Sequence, residues 1–441
     1  MGVRVESLRD GQVLYARNDD KLVMPASNMK ILTMSAAAER LGWDFRYETR
    51  LDAVGAMVDG TLRGDIIVTG GGDPSIGSPD SGQSNPFGEW AAALSAAGIR
   101  RVEGRVIGDD NFFDDEGLGA GWAWDYLGAG YAAPSGALSY NENAITLRIR
   151  PGRVAGEPAA IEVAPAGHGL EVVNQVRTGA AGAPATVDVA RLPRQRQLVV
   201  TGSVPSGGAV VTQTAAVDNP TRFFAEALKV ALVARGIVVL GDAVDIDDVA
   251  GAFDSQGNRR VIARHSSLPF SSLAAYFMKA SQNFYAETIL KTLGRSVEGM
   301  GTSDAGRKVV RDTLASWNVP ADAVVVYDGS GLSRYNYVTT GAIVQILKRM
   351  WTNDRFRGSF AAAMPVAGHD GTLQTRMKGT ILDARVEAKT GTISNVRALS
   401  GYLETQSGER IVFSMIANHF TAPTSQIDAV VERALVRLAQ R

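Results

Sequence analysis

The strand patterns at the two ends of this chain constrain its fold more than any other feature. Val3 to Leu8 and Gln12 to Tyr15 flank the turn signal Arg9-Asp10-Gly11, which predicts a β-hairpin. Three further strand patterns and a final helix pattern lie near the other end, over residues 386–390, 397–404, 410–417 and about 425–440. Paired together, the five strands would form one antiparallel sheet. Such a sheet places both ends of the chain in one domain and brings residue 27 close to residue 390.

The region between the two terminal strand groups predicts inserted domains. At 441 residues the chain is too long for one ordinary core, and two or three domains are expected. Residues 65–109 have a strand, helix, strand pattern, whereas residues 144–212 have short alternating strands separated by Gly, Pro and Ala. We therefore predict an α/β multi-domain protein with nested insertions. The predicted domains are an outer one over 1–50 and 265–441, an α/β one over 51–143 and 213–264, and a small all-β one over 144–212.

Charge and composition exclude several classes of function. The 45 Lys and Arg residues balance the 46 Asp and Glu residues, so no broad basic face for nucleic acid is expected. The absence of cysteine excludes disulfides, thiolate catalysis and Cys-ligated metals. The four histidines have no metal-ligand spacing, and Gly70-Gly71-Gly72-Asp73 lacks the Gly-Lys-Ser/Thr of a phosphate loop. We therefore expect no metal and no cofactor.

Neither a membrane span nor an export signal is evident in the sequence. The longest apolar run, Ala227 to Leu240, is interrupted by Lys229 and Arg235 and is too short to cross a bilayer. Met1-Gly2 leads directly into the first strand pattern, without a signal peptide. A cytoplasmic protein and one whose export signal has been removed both fit this pattern.

Ser27-Asn28-Met29-Lys30 is the only Ser-x-x-Lys in the chain. The apolar run that follows it predicts a helix, so Ser27 would lie near the helix N-terminus with Lys30 on the same face. The serine is a candidate nucleophile and the lysine its base, and N–H groups at a helix N-terminus suit a developing oxyanion. A serine N-cap followed by a surface lysine is the structural alternative, and these four residues alone favour it.

Lys389-Thr390-Gly391 also occurs once, at the end of the first predicted C-terminal strand. The lysine supplies a fixed positive charge, and the threonine hydroxyl can bind a carboxylate. The glycine would let a substrate lie close to the strand. An edge-strand lysine followed by a strand-terminating glycine is the structural alternative.

Ser-x-Asn occurs three times, so only its surroundings can indicate which copy is functional. The copies are Ser139-Tyr140-Asn141, Ser281-Gln282-Asn283 and Ser316-Trp317-Asn318. The second lies in a short link between two apolar helical runs, where both polar side chains can project into a cleft. We therefore expect Ser281 and Asn283 to join the site of Ser27.

In this order the three motifs resemble those of the penicillin-binding proteins and serine β-lactamases. About 250 residues separate Ser27 from Ser281, which resembles the low-molecular-mass class C penicillin-binding proteins, the D-alanyl-D-alanine carboxypeptidase and endopeptidase family. Other matching stretches are Met24 to Lys30, Gly71 to Pro74, Asp328 to Arg334 and Gly368 to Leu373. The resemblance implies a transpeptidase-like domain, with a five-stranded antiparallel sheet, helices and a helical subdomain, that carries two nested inserted domains.

The resemblance further implies a serine hydrolase that forms an acyl-enzyme on Ser27. Lys30 would be the base, kept partly neutral by burial and by the charge of Lys389. The backbone N–H groups of Ser27 and Thr392 would form the oxyanion hole.

The remaining motif residues would contact the peptide. Ser281 would pass a proton to the departing D-alanine, and Asn283 would bind an amide of the acyl chain. The terminal carboxylate would lie against a segment made of Lys389, Thr390, Gly391 and Thr392.

The resemblance also suggests wall residues, by which we mean residues that contact a side chain of the peptide substrate. Family members often carry an acidic residue shortly after a Trp-x-Trp, but here Asp125 comes one position early, with Tyr126 in the expected place. We predict substrate contacts for Asp125, Tyr131 and Arg334, with a purely structural role as the alternative.

The resemblance implies peptidoglycan stem peptides as substrates and β-lactams as covalent inhibitors, with no nucleic-acid partner. An extracytoplasmic location, in the periplasm or cell envelope, is then expected. Two rival functions are a β-lactamase or esterase-like hydrolase of the same fold, which would need a dedicated water activator, and a sensor that acylates without turnover. The oligomeric state, a homodimer included, stays open.

Overall fold

A computed structural model describes residues 1–78, 80–193, 195–249 and 259–441 of the chain. These residues form two compact units. The first comprises Met1–Phe45, Gly119–Trp122 and Leu268–Arg441, and the second comprises Arg46–Leu118 and Ala123–Ser267. The nested division into three domains stays a prediction, and residues 250–258 of its second domain lie outside the described residues.

The α-helices have the following bounds in chain order. They are α1 (Met29–Arg40), α2 (Phe87–Ala96), α3 (Pro220–Ala234), α4 (Phe270–Ala280), α5 (Asn283–Leu293), α6 (Ser303–Ser316), α7 (Thr340–Thr352), α8 (Asp354–Ala363) and α9 (Thr424–Ala439). Within the described residues, none of these helices combines the length and the apolar character needed to cross a membrane.

The strands have the following bounds in chain order. They are β1 (Gly2–Ser7), β2 (Val13–Arg17), β3 (Glu48–Val58), β4 (Thr61–Thr69), β5 (Arg101–Val102), β6 (Val106–Asp109), β7 (Ala144–Arg150), β8 (Ala160–Ala164), β9 (Glu171–Asn174), β10 (Arg177–Gly179), β11 (Thr186–Ala190), β12 (Gln197–Pro205), β13 (Val211–Ala216), β14 (Val238–Val239), β15 (Ala243–Asp245), β16 (Arg259–Ser266), β17 (Val324–Val325), β18 (Tyr337–Val338), β19 (Val386–Ile393), β20 (Val396–Glu404) and β21 (Arg410–Asn418).

The terminal strands pair into one sheet, as the sequence predicts. In the described part of the chain its order is β19-β20-β21-β1-β2, and every pair is antiparallel. Gly2 lies opposite Ile416, so the first and last strands are direct neighbours. The prediction that β19 ends at Thr390 is wrong, because Thr392 and Ile393 continue the ladder opposite β20.

The two faces of this sheet pack against different helices. On one face, alternating apolar residues such as Leu399 and Leu403 pack against Val431 and Leu435 of α9. On the other face, the hydroxyl of Tyr402 donates to a backbone carbonyl of α7, at 2.8 Å, and polar side chains of β20 meet the start of α1. The functional motifs therefore lie on the α1 side and along the β19 edge.

The second unit is built around a mixed sheet. Strand β4 pairs antiparallel with β3 and parallel with β5 and β6, and α2 connects β4 to β5. Its main core contains Trp90 and Leu94 of α2 together with Phe224 and Leu228 of α3. Residues 144–216 form smaller sheets with their own buried side chains, among them Ile145, Leu147, Leu198 and Val200.

We expect Leu435→Ala to destabilise the first unit, because Leu435 is fully buried under the sheet. Removing a buried leucine side chain typically costs about 2–5 kcal/mol. Val430→Ala is the control in the same helix, because 47% of Val430 is exposed and little contact is lost. The midpoint of urea unfolding should fall clearly for Leu435→Ala alone, and equal midpoints for the two variants would contradict this packing.

Candidate active site

Ser27 lies in a single 3₁₀ turn, Ala26–Asn28, immediately before α1. Its neighbours on both sides are buried, whereas Ser27 itself is partly exposed. Ala26 has a φ of 46°, in the left-handed region that residues other than glycine rarely adopt. Such a conformation persists only where the surroundings hold it. The turn therefore exposes one hydroxyl on a backbone that the neighbouring segments must support.

Two glycines let other segments lie directly against this turn. A Cβ added at Gly331 would come 1.8 Å from the carbonyl oxygen of Ala26, and one at Gly391 would come 2.7 Å from the carbonyl oxygen of Pro25. Gly391 therefore lies against the backbone just before Ser27, a contact that the sequence did not indicate. A substrate lying beside this glycine stays a prediction.

Lys30 contacts Ser27 from the first turn of α1. Its Nζ donates to the Oγ of Ser27 at 3.0 Å, to the Oδ1 of Asn283 at 2.6 Å and to the carbonyl oxygen of Ser330 at 2.9 Å. The ammonium form has three hydrogens, so these three acceptors use all of them. Because the side chain is fully buried, this set of contacts fixes the position of the nitrogen.

Burial makes Lys30 a suitable base. It lowers the pKa of the lysine from 10.5 to about 7, while the charges of Asp328 and Glu287 act in the opposite direction. A large fraction of the amine is therefore neutral near pH 7. A neutral amine that lies 3.0 Å from a hydroxyl can accept its proton and activate the serine.

A second buried lysine contacts the Ser-x-Asn motif. The Nζ of Lys389 donates to the Oγ of Ser281 at 2.8 Å and to the carbonyl oxygen of Thr390 at 3.1 Å. Ser281 ends α4 with a φ of 59°, and α5 begins two residues later at Asn283. This left-handed link lets Ser281 and Asn283 reach different lysines. Of the three Ser-x-Asn copies, the structure brings this one to Lys30 and Lys389.

The two buried lysines influence each other through their charges. Burial first, and then the charge of Lys30, hold the pKa of Lys389 well below its ordinary value. For Lys30, burial is the main cause of the lowered pKa. Repulsion between two ammonium groups is mutual, and the expectation that Lys389 lowers the pKa of Lys30 stays a prediction.

Strand β19 forms the edge of its sheet and carries three predicted binding residues. The hydroxyl of Thr390 donates to that of Thr372 at 2.7 Å. Thr392 is exposed, lies opposite Arg397 in the ladder, and accepts a hydrogen bond from its guanidinium. Arg397 is held in turn by Asp428 of α9, at 2.6 Å. Sequence reasoning missed Arg397, because the predicted strand ended at Thr390 and left Thr392 outside the ladder.

Asp328 organises the loop that packs against the Ser27 turn. It is fully buried, and its carboxylate accepts four short hydrogen bonds. The donors are the backbone N–H of Gly331 and Ser333, the amide of Asn336 and the indole of Trp122. Residue types alone show no sign of this carboxylate's role, because its partners come from separate parts of the chain.

The predicted wall residues are distributed over both units. Arg334, in the first unit, donates to the carbonyl oxygen of Ser394 at 3.2 Å. Asp125 and Tyr131 belong to short 3₁₀ turns of the second unit, where the rings of Tyr126 and Tyr131 are 5.7 Å apart. Their contacts with a substrate stay predictions.

Three carboxylates converge elsewhere in the second unit, from Asp110, Asp245 and Asp247. Their oxygens lie within 4.8 Å of one another. Burial and the neighbouring carboxylates raise the pKa of Asp110 to about 7, against a hydrogen bond from Thr221. Partial protonation can therefore relieve the repulsion within the cluster, and we assign no metal to it.

The chain is similar to known proteins over its whole length. A profile of the D-Ala-D-Ala carboxypeptidase 3 (S13) family matches residues 1–439. A D-alanyl-D-alanine carboxypeptidase from Actinomadura sp. (strain R39) is 34% identical over 450 residues, which cover 100% of this chain and 81% of that protein.

Solved structures agree with the fold. The crystal structure of penicillin binding protein 4 (dacB) from Haemophilus influenzae superposes with a TM-score of 0.84 at 25% identity, covering 99% of this chain and 96% of that one. The same protein complexed with a novel β-lactam superposes with a TM-score of 0.77 at 24% identity, covering 99% and 96% of the two chains, a likeness that concerns the fold.

We expect Asp328→Ala to destabilise the loop beside Ser27, because it leaves four donors, three of them on buried residues, without their acceptor. A lost buried acceptor costs about 1–3 kcal/mol for each group left unsatisfied. Asp322→Ala, at an exposed position six residues earlier, is the control. Thermal unfolding should show a lower midpoint for Asp328→Ala only, and an unchanged midpoint would contradict the role of Asp328 in the loop.

Proposed function

This chain belongs to the D-Ala-D-Ala carboxypeptidase 3 (S13) family, and we propose that it hydrolyses the terminal D-alanyl-D-alanine bond of peptidoglycan stem peptides through an acyl-enzyme on Ser27. Members of this family are serine peptidases. One observation supports the residue assignment most directly: the Nζ of buried Lys30 lies 3.0 Å from the Oγ of Ser27. The pKa of about 7 makes this lysine a base at neutral pH.

In the acylation step, neutral Lys30 takes the proton of Ser27 as its Oγ attacks the carbonyl carbon of the penultimate D-alanine. The oxyanion that forms is held by the backbone N–H groups of Ser27 and Thr392. The position of Thr392 on an edge strand supports this role, because among the described strands none pairs with β19 on its outer side.

When the tetrahedral intermediate collapses, the C–N bond breaks and the departing D-alanine nitrogen needs a proton. Ser281 relays it from Lys389, whose Nζ is 2.8 Å from the Oγ of Ser281. An ester of Ser27 remains. Water then attacks this ester, and Lys30 returns its proton to the Oγ of Ser27 as the shortened peptide leaves. The proton that the water loses replaces, through Ser281, the one that Lys389 gave up.

Substrate binding uses the β19 edge. Lys389, Thr390 and Thr392 hold the terminal carboxylate beside Gly391, and Asn283 binds an amide of the acyl chain. The hydroxyl oxygen of Thr392 accepts from Arg397, so the hydroxyl hydrogen is available to donate to that carboxylate. For the side chain at the third peptide position, Arg334 in the first unit and, separately, Asp125 and Tyr131 in the second unit stay candidate contacts.

The same chemistry makes β-lactams covalent inhibitors that acylate Ser27. A β-lactamase needs a dedicated activator for the deacylating water, and the sequence has no Glu-x-x-Leu-Asn-like segment to supply one. A sensor would acylate without releasing D-alanine, so product release separates it from an enzyme. Since the substrate lies outside the cytoplasmic membrane, we propose an extracytoplasmic site of action.

Ser27→Ala should abolish D-alanine release from a D-Ala-D-Ala peptide, because no acyl-enzyme can form. Lys30→Ala should lower kcat/KM by roughly 10²–10⁴-fold, the usual contribution of a general base. Lys21→Ala is the control, because the Lys21 side chain is 68% exposed on the surface. Release by Ser27→Ala at the wild-type rate would rule out the proposed nucleophile.

The rate of acylation by penicillin should rise with pH around a midpoint near 7. The pKa of Lys30 is lowered to about 7, so the amine is mostly charged and inactive at pH 6 and mostly neutral at pH 8. For a single group of this pKa the rate rises roughly tenfold over that interval. Stopped-flow or intact-mass measurement of the second-order rate constant tests this, and a flat profile from pH 6 to 8 would exclude Lys30 as the titrating base.

A further inference from the structure

Glu287 is a buried carboxylate that no step of the proposed reaction uses. It lies on α5, four residues after Asn283 and therefore on the same helical face, with 2% of its surface exposed. Its Oε2 accepts from the backbone N–H of Gly329 at 3.0 Å, and its Oε1 accepts from that of Ser330 at 2.8 Å. Both oxygens thus hold one short stretch of backbone.

The opposite side of that backbone stretch contacts α1. The carbonyl oxygen of Ser330 accepts from the Nζ of Lys30 at 2.9 Å, and that of Gly329 accepts from the hydroxyl of Thr33 at 2.7 Å. Two consecutive residues, Gly329 and Ser330, therefore present their N–H groups to α5 and their carbonyls to α1. The Ser330 carbonyl belongs to the peptide unit whose N–H, that of Gly331, is bound by Asp328, and Glu287 holds the two peptide units before it.

Close contacts on both sides restrict the movement of the backbone from Gly329 to Gly331. A Cβ at Gly329 would come 2.5 Å from the carbonyl oxygen of Ala286, so the loop lies directly on the backbone of α5. On the other side, Gly331 lies against Ala26 just before Ser27. A small displacement of the loop would therefore move a ligand of Lys30 and the support of the Ser27 turn together.

The charges around Lys30 come from three directions. Lys389 approaches from β19, Glu287 from α5 and Asp328 from the loop. Both carboxylates raise the pKa of Lys30 against the effect of burial. Burial of Glu287 and the charge of Asp328 raise the pKa of Glu287 itself to about 7. The proton of Lys30 and the charge of Glu287 are therefore linked in the neutral pH range.

We propose that Glu287 is a positioning residue for Lys30: it holds the Gly329-Ser330 backbone so that the Ser330 carbonyl fixes the lysine amine against Ser27, and it places a compensating charge behind that amine. This inference rests on the proposed function, in which Lys30 is the base. Glu287 then acts on Lys30 in two ways, through its charge and through the position of the loop. Different substitutions of Glu287 remove one or both of these effects.

Glu287→Gln removes the charge and preserves most of the shape. Without that charge the ammonium form of Lys30 is less stable, so the pH midpoint of penicillin acylation should fall by about one unit, at the lower end of the effect of a nearby opposite charge. Glu287→Ala also releases the loop, and its limiting rate at high pH should fall roughly ten- to hundredfold. Glu298→Gln, which loses only a surface contact with Lys308, should keep the wild-type midpoint.

Rate constants are measured by intact mass on the fraction of protein that becomes labelled, so partial misfolding of a variant does not move its midpoint. A wild-type or raised midpoint in Glu287→Gln, or a wild-type limiting rate in Glu287→Ala, would overturn the inference while leaving the proposed function intact. A wild-type protein that is neither acylated at Ser27 nor able to release D-alanine would overturn both.

Discussion

Two lysine side chains are buried beside one serine hydroxyl, and the surrounding structure has to make this arrangement stable. A buried ammonium group is costly unless it is paired or neutralised. Here Lys30 and Lys389 meet neutral acceptors, the hydroxyls of Ser27 and Ser281 among them, and burial shifts their pKa values downward. Burial of the two amines thus costs folding free energy, and it also lowers their pKa values so that a neutral, basic amine is present at neutral pH. Carboxylates lie one layer further out, where they limit the shift without forming a direct ion pair with the base.

Close backbone packing gives this site its precision. The Ser27 turn is backed by glycine on both the 329–331 loop and β19, so no side chain separates these segments. Side chains can change rotamer, whereas a backbone held by hydrogen bonds within a sheet or against a helix can adjust much less. A nucleophile, its base and its oxyanion donors need to be held to within a fraction of an ångström. Glycine at these contacts serves that need, although it gives the unfolded chain more conformational freedom.

Local sequence patterns predicted much of the fold and the contact between Ser27 and Lys30. Alternating strands and turn residues predicted the terminal sheet, and the three-residue spacing of Ser27 and Lys30 predicted their contact. What the sequence could not supply were relations between distant segments. Glu287 acts through backbone groups, which leave no trace in residue types, and Asp328 combines backbone donors with the distant side chains of Asn336 and Trp122. The neighbour of Gly391 depends on how β19 meets the start of α1. The lowering of each lysine pKa depends on burial depth, which no motif encodes.

The pairing of β1 with β21 has a consequence for the order in which the protein folds during and after its synthesis. Gly2 lies opposite Ile416, so β1, an inner strand of the sheet, has to wait for β21, which is synthesised near the end of the chain. Contacts this distant in sequence form late and slowly, since a long loop must close first. Ser27 therefore leaves the ribosome long before Lys389 exists to complete its surroundings. With the proposed roles, a nascent chain would carry the nucleophile before the strand that bears Lys389 exists, and hydrolysis would begin only after the C-terminal strands have joined the sheet.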